Sequence, residues 1–273
     1  RSDCIHVHVD YRDVPEEWLG QDLIKSAEAM KLADEKMYRW TWLGESVGVD
    51  ELIYYMFSER NKALPEPERQ FQTVIIGGDY GQQNATTFEA SGLDEYRHKL
   101  MGLKEFYHSG RETGKQKSPS EYAEELIKMM DSIHGEYGTI IFYVFLDPSA
   151  QGLKEEIKRQ VKENKEYTVK LRNADNDVAL GISRVQKAFI YNILTVSPRQ
   201  EMLVEELGTY EYDKKSIQNG KEVPVKINDH CCDALRYKVM GAWKWIKRWL
   251  PEEEKQEEFI NPLNKEYNED EYI

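Results

Sequence analysis

Four side chains in this sequence are of the types that hold a divalent cation. Asp79 and Asp147 each follow a strongly apolar run, and His230 and Asp233 stand three residues apart near the C-terminus. A spacing of three puts two side chains on one face of a helix. Carboxylate oxygens with an imidazole suit a hard divalent ion, and Mg²⁺ or Mn²⁺ fits this set better than zinc does.

The two apolar runs predict strands that end at the aspartates. Residues 74–76 are β-branched and are closed by two glycines, and residues 140–146 lack alternation, as expected for a strand covered on both faces. Ligands of α/β proteins gather at the carboxyl ends of strands, so neighbouring parallel strands would place Asp79 beside Asp147. Two adjacent carboxylates repel unless a cation or a shared proton relieves them, and a bound divalent ion is the simplest relief.

Each of these residues also has a purely structural explanation. Asp79 sits where a turn begins, and Asp147 precedes a proline, both common positions for Asp. His230 could face solvent, and Asp233 could be an acid favoured by the helix dipole in a first turn. Residue pattern alone leaves these alternatives open.

The remaining patterns predict a mixed sheet covered by helices. Strands are expected at 85–91, 100–107 and 167–171, and helices at 21–38, 122–133, 153–161, 178–189 and from about Asp229 to before Pro251. Pro65 and Pro67 break the chain, which predicts three segments: a helical, charge-rich segment 1–68, a domain 69–250, and a poorly ordered acidic tail 251–273.

Composition excludes several classes of protein. No run approaches the length of a membrane span, and three cysteines offer neither a disulfide framework nor a zinc site. The net charge of −13 argues against a simple nucleic-acid binder, although nine acids against two lysines after residue 250 leave −6 for residues 1–250. The chain starts without Met in an alternating run at 4–9 that is typical of a strand, so we expect a piece of a longer protein.

Basic residues cluster after the predicted third strand. Arg111, Lys115 and Lys117 could contact DNA phosphates weakly, or could simply be solvent-exposed charges on a hairpin. The segment Gly110–Lys115 has only three residues between its glycines, and Gln116 stands where a phosphate-binding loop needs Ser or Thr. We therefore interpret this segment as a hairpin turn.

Taken together, these motifs resemble the nuclease domain of a tailed-phage terminase large subunit. The segment 38–45 resembles the connection between the family's ATPase and nuclease domains, and 76–81 resembles its first nuclease strand with a metal-binding Asp. Residues 145–149 resemble the second acidic position. Residues 229–237 are similar to the final motif, in which an acid before Ala-Leu-Arg-Tyr binds metal and one branch adds a His three residues earlier.

The resemblance implies a ribonuclease H-like fold with a five-stranded mixed sheet flanked by helices, and a mainly helical N-terminal extension. It also implies a nuclease that cuts concatemeric duplex DNA with two Mg²⁺ or Mn²⁺ ions. Asp79 would bridge the ions, Asp147 and Asp233 would be outer ligands, and His230 would be a ligand or a proton acceptor. No Walker A loop is present, so ATP hydrolysis is not expected from this chain.

The same resemblance implies partners: duplex DNA, the portal protein and the small terminase subunit, in the host cytoplasm and transiently at the procapsid. Two other functions stay open. One is another ribonuclease H-like nuclease, such as a junction resolvase or a transposase. The other is a non-enzymatic packaging adaptor whose carboxylates merely lie in turns.

Overall fold

The computed structural model describes residues 9–15, 18–33, 38–39, 42–43, 52–81, 84–161, 166–218, 221–252 and 254–255. Two compact units are formed, one by residues 51–249 and one by residues 1–50 with 250–273. No helix in the described ranges is both long and apolar enough to cross a membrane. The strand expected at 4–9 and the acidic tail after residue 255 lie outside the described residues, apart from Val9.

A single mixed sheet forms the centre of the larger unit, with strand order β5-β4-β1-β2-β3-β6. β1, β2 and β3 are antiparallel neighbours, whereas β4 runs parallel to β1, β5 parallel to β4, and β6 parallel to β3. The strands are β1 (Thr73–Tyr80), β2 (Ala85–Asp94), β3 (Lys99–Ser109), β4 (Ile141–Leu146), β5 (Thr168–Asn173) and β6 (Leu194–Thr195).

The expected five strands are all found, but the count of five is wrong. The described part of the chain has a sixth strand, β6, which pairs through Leu194 and Thr195 alone. A two-residue strand has no hydrophobic period of its own, and its pairing is decided by tertiary contacts. The predicted α/β class, with a mixed sheet flanked by helices, is confirmed.

Eight α-helices are present among the described residues. They are α1 (Gln21–Ala33), α2 (Gly110–Thr113), α3 (Pro119–Tyr137), α4 (Gln151–Val161), α5 (Val178–Ile190), α6 (Glu201–Leu207), α7 (Lys214–Gln218) and α8 (His230–Ile246). α3 and α4 share a core with one face of the sheet, including Phe88, Phe142 and Leu146. α8 crosses the opposite face, over β1, β2 and β4.

α8 lies unusually close to the sheet because glycines face it. A Cβ on Gly77 of β1 would lie 1.9 Å from the carbonyl oxygen of Ala234 in α8. A Cβ on Gly241 of α8 would lie 2.4 Å from the ring of Phe145 in β4. Since neither glycine has a side chain, helix and strand meet backbone to backbone, which brings the start of α8 over the strand ends.

The predicted hairpin turn at Gly110–Lys115 is wrong, because the segment starts with one turn of helix. The Ser109 hydroxyl accepts a hydrogen bond from the Glu112 amide, and Gly114 ends the helix in the left-handed region at φ 67°. Ser before and Gly after a short segment are the usual helix caps, and here they outweigh the turn tendency of the glycines.

The smaller unit contains α1, whose start at Gln21 agrees with the prediction, while residues 34–37 of the expected helix lie outside the described residues. Ala27, Tyr38 and Leu43 form its small apolar cluster. In the larger unit, the amide of Ile53 donates to the carbonyl of Tyr210 at 2.8 Å. The boundary predicted at residues 68–69 stays a prediction.

Candidate metal centre

Asp79 and Asp147 lie at the same edge of the sheet. β1 and β4 are parallel neighbours with Gly78 opposite Leu146, so the next residues of both strands are the two aspartates. Gly77 and Phe145 face α8. Because side chains alternate along a strand, the side chains two residues later, those of Asp79 and Asp147, point toward α8 as well. The predicted neighbouring parallel strands are confirmed.

His230, the first residue of α8, contacts Asp79 directly. Its Nδ1 donates to Asp79 Oδ2 at 2.8 Å. This hydrogen bond raises the pKa of His230, although burial acts in the opposite direction. Burial raises the pKa of Asp79, and the nearby charge of Asp233 adds to the rise, while His230 opposes it. Asp79 therefore carries its negative charge at a cost that a nearby cation would reduce.

Asp147 is held by three donors, two from loops and one from α8. Its Oδ2 accepts from the Tyr237 hydroxyl at 3.1 Å and from Asn176 Nδ2 at 3.0 Å, and its Oδ1 accepts from the Ser149 amide at 2.7 Å. Burial alone would raise the pKa of Asp147, but these hydrogen bonds outweigh it and lower the pKa. Asp147 is thus a fixed, ionised carboxylate.

Asp233 lies one turn into α8 and is contacted by two basic side chains. Its Oδ1 accepts from Arg236 Nη2 at 2.9 Å, and its Oδ2 accepts from Lys226 Nζ at 3.2 Å. Lys226 Nζ also lies 3.0 Å from Oδ2 of Asp229, the residue that precedes α8. Positive charge already balances part of the acidity at this position.

The phenol of Tyr237 marks the point where the acids meet. Burial raises the pKa of Tyr237, and the negative charges of Asp233, Asp79 and Asp147 raise it further. The four predicted residues thus lie near the start of α8. His230 is hydrogen-bonded to Asp79, and Asp147 is hydrogen-bonded to Tyr237. Yet no three of the four, as described, have ligand atoms that all lie within 4.8 Å of one another.

The group that does meet that distance among the described residues is Glu89, Glu105 and Cys231. Glu89 and Glu105 are paired across β2 and β3, and Glu89 and Cys231 are fully buried. Burial lowers the pKa of Lys238 to about 8, while both glutamates act to raise it. Because the Lys238 ammonium already compensates these carboxylates, we interpret the group as an internal ion cluster rather than a metal site.

The side chains that position the candidate ligands were not predicted from the sequence: Tyr237, Asn176, Lys226 and Arg236. Tyr237 had a usable signal, because it lies four residues after Asp233 and so shares its helix face. Asn176 follows the carboxyl end of β5, which is the edge where the other ligands gather. Nothing in the local sequence pattern indicates Lys226, which lies in the loop before α8.

The predicted DNA-contacting residues lie after β3, whose carboxyl end shares the sheet edge with Asp79. Arg111 and Lys115 are exposed. Lys117 Nζ lies 2.8 Å from Glu125 Oε1, so its charge is already paired. Within the described part of the chain, only two of the three side chains therefore present a positive charge that no carboxylate balances.

Comparison with known proteins agrees with this fold. The family model described as a Terminase RNAseH like domain matches residues 79–240, which span all four candidate ligands. The chain belongs to this family. A comparison with curated proteins gives no match.

Solved structures of large terminases are similar to the chain. The large terminase of a thermophilic bacteriophage, in complex with ATP-gamma-S, is 32% identical, with a TM-score of 0.59 over 69% of this chain and 44% of that one. The same terminase with ADP is 29% identical, with a TM-score of 0.66 over 86% of this chain and 55% of that one. The chain thus spans about half the length of these structures.

The P22 large terminase nuclease domain gives a likeness of fold only. It is 16% identical, with a TM-score of 0.52 over 75% of this chain and 95% of that domain.

Proposed function

We propose that this chain is a metal-dependent endonuclease that cuts concatemeric double-stranded viral DNA during genome packaging. The observation that carries the proposal is the placement of Asp79 and Asp147 at the ends of adjacent parallel strands, under a helix whose His230 bonds to Asp79. Membership of the terminase family supports it.

The donor set fits hard divalent ions, Mg²⁺ or Mn²⁺. Three carboxylates and one imidazole supply oxygen and nitrogen ligands, and burial has already made the charge on Asp79 unfavourable. Two such ions, when bound, would activate a water and stabilise the leaving 3′ oxygen. Asp79, Asp147 and Asp233 would hold the ions, while Tyr237 and Asn176 fix the orientation of Asp147.

His230 has two possible uses in this scheme. As a ligand it would contribute a neutral ring nitrogen, and as a base it would accept the proton of the attacking water. Its hydrogen bond to Asp79 orients the ring for either use. Loss of His230 should therefore lower cleavage even where the three carboxylates remain.

In a full-length motor, this domain would act on DNA held by an ATPase domain, together with portal and small-subunit partners in the host cytoplasm. A tethered domain works at high local DNA concentration, so weak intrinsic affinity is tolerated. That expectation suits a chain with a net charge of −13.

The test is cleavage of supercoiled plasmid by the purified chain. We expect nicking and linearisation without sequence preference in Mn²⁺ or Mg²⁺, none in EDTA, and loss of about a thousandfold or more in Asp79→Asn and Asp147→Asn, since each removes several kcal/mol of charge stabilisation. Asp22→Asn, an exposed aspartate of α1, is the matched control and should cut normally.

Cleavage that persists in EDTA or in both variants would exclude this site. Strong preference for branched DNA or transposon ends would assign it to another kind of ribonuclease H-like nuclease. Calorimetry that shows no saturable Mn²⁺ binding would favour an adaptor without enzymatic activity.

A further inference from the structure

The face of β4 and β5 that is turned toward α8, together with the last turn of α8, carries a row of cations and aromatic rings beside the candidate metal centre. We propose that this row, the Lys170 strip, binds the phosphate backbone of duplex DNA. The strip consists of Lys170, Arg172, Tyr143, Lys244 and Trp245. The inference rests on the proposed nuclease function and names the surface that would hold its substrate.

Strand register places the strip on one face. Tyr143 of β4 is opposite Lys170 of β5, and Phe145 is opposite Arg172. Phe145 packs against Gly241, so this face is the one that α8 crosses. Lys170 and Arg172 are two residues apart on a strand, which separates them by about 7 Å along one face.

Aromatic rings hold the two lysines of the strip. Lys170 Nζ donates to the Tyr143 hydroxyl at 3.2 Å and lies 5.0 Å from that ring's centroid. Lys244 Nζ lies 4.6 Å from the ring of Trp245, and the Tyr143 and Trp245 rings meet edge to face at 4.9 Å. A cation held over an aromatic face keeps its charge and loses less freedom when it meets a phosphate.

The two lysines of the strip have no carboxylate partner among the described residues. Within the described ranges, neither Lys170 nor Lys244 forms an ion pair with a carboxylate, whereas Lys104 pairs with Glu136 and Lys117 with Glu125. Lys244 is exposed and Lys170 is half-buried, so both ammonium groups can be reached from solvent. In an acidic protein, such a patch is where a polyanion would be attracted.

The strip leads to Asp147. Arg172 is in register with Phe145, two residues before Asp147, and the chain that leaves β5 brings Asn176 to Asp147 Oδ2 at 3.0 Å. A phosphate backbone lying along the strip would therefore continue toward the carboxylates. Because cations contact phosphates and not base edges, we expect binding that does not depend on sequence.

The test compares three double charge reversals in the 273-residue chain. The first, Lys170→Glu with Lys244→Glu, reverses the charge of both lysines of the strip. The second, Arg111→Glu with Lys115→Glu, removes the cations after β3. The third, Lys128→Glu with Lys158→Glu, is the matched control, because these lysines lie on α3 and α4 over the opposite face of the sheet.

Binding of a short fluorescein-labelled duplex is measured by anisotropy in EDTA over a range of salt. We expect the first variant to raise Kd about tenfold or more and to lower the slope of log affinity against log salt by about 2, as expected for two lost phosphate contacts. The control should match the parent chain. The neutral pair Lys170→Gln with Lys244→Gln should give a smaller change in the same direction.

The proposal is overturned if the first variant binds like the control, if the second variant alone loses binding, or if the parent chain binds no duplex at low salt. Plasmid cleavage in Mn²⁺ separates this failure from failure of the nuclease function. Cleavage by the parent that is unchanged in the first variant overturns the strip alone. Strip-dependent binding without any cleavage overturns the nuclease alone.

Discussion

Two groups of acids lie where α8 packs on the sheet, and they differ in how their negative charge is balanced. The edge group consists of Asp79 and Asp147 at the ends of two strands and Asp233 in the first turn of α8, and all three are partly exposed. The inner group, Glu89 and Glu105 with Glu206 nearby, lies deeper in the same interface, and Lys238 is buried with it.

The contrast shows that closeness of ligand atoms is a poor guide to a metal site on its own. The inner group has the shorter separations, yet protein donors already satisfy it: Gln200 Nε2 donates to Glu89 at 2.6 Å, and the amides of Met202 and Leu203 donate to Glu105 at 2.9 Å. In the edge group, Arg236 and Lys226 contact Asp233, whereas the donors that hold Asp147 are all neutral. Access and uncompensated charge separate a binding site from a structural cluster.

The largest effect is expected from removing the internal cation. Lys238→Met should lower the free energy of unfolding by about 3–5 kcal/mol, because it leaves buried carboxylates without their counter-charge. A second change, Glu89→Gln, should restore part of the loss. Urea unfolding measures both, with the exposed Lys128→Met as control; a stable Lys238→Met would show that Lys238 does not balance the inner group.

Metal binding should also differ between variants of the two groups. Calorimetry should show that Glu89→Gln binds Mn²⁺ as the parent does, whereas Asp79→Asn does not. The reverse result would move the metal centre to the inner group.

A side chain at Gly77 should push α8 away from the sheet and so disturb both groups of acids. Gly77→Ala puts a Cβ where the Ala234 carbonyl oxygen lies 1.9 Å away, and overpacking of this kind costs up to about 3 kcal/mol. Gly135→Ala is the matched control, because Gly135 is an exposed position of α3 with nothing within 4 Å, and it should be neutral or stabilising. Equal urea midpoints for both variants would refute the close approach.

Stability should depend on pH through Glu206, which caps the start of α8 by accepting the Cys232 amide at 3.0 Å. Burial raises the pKa of Glu206 to about 7, from 4.5. An acid with a raised folded pKa stabilises the fold fully below its unfolded pKa of 4.5, and this contribution is lost as pH rises through 7.

Between pH 5 and pH 8 the loss should be roughly 2 kcal/mol, given 1.36 kcal/mol per pKa unit. Glu206→Gln keeps a hydrogen-bond acceptor but cannot ionise, so its stability should fall less over that range. Urea unfolding of both proteins at several pH values checks this. Parallel pH profiles would show that Glu206 does not titrate between those limits.

The smallest effect is expected from the phenol that orients Asp147. Tyr237→Phe removes one hydrogen bond worth about 1 kcal/mol, which corresponds to roughly a fivefold loss in cleavage rate. Tyr96→Phe, at an exposed position, should cut normally. A Tyr237→Phe enzyme with parental activity would mean that Ser149 and Asn176 suffice to hold Asp147.

Local patterns were enough to predict the elements with a strong hydrophobic period. The ends of β1 and β4 follow from their apolar runs, and a helix start near residue 229 follows from the residue pattern. The parallel pairing that places Asp79 beside Asp147 was only a condition of the prediction, and the structure supplies it. The short helix α2 and the strand β6 were missed or misjudged, since one turn of helix or two paired residues carry no period.

The inner group could not be predicted at all. Glu89 and Glu105 occur in strands where alternating polar residues usually face solvent, but α8 and residues 200–203 cover them. Lys238 and Arg236 look like exposed cations in a helix, yet both are buried by tertiary packing. The burial of such residues depends on contacts between segments that lie far apart in the sequence.

The close packing of α8 on Gly77 also links the candidate ligands to the local stability of the helix. The helix docked on it supplies His230 and Asp233 at its first turn, so partial opening of that turn would withdraw two candidate ligands together, without global unfolding. The proposed nuclease would be silenced by loosening one helix end, and hydrogen exchange at the amides of residues 231–233 would reveal how often that end opens.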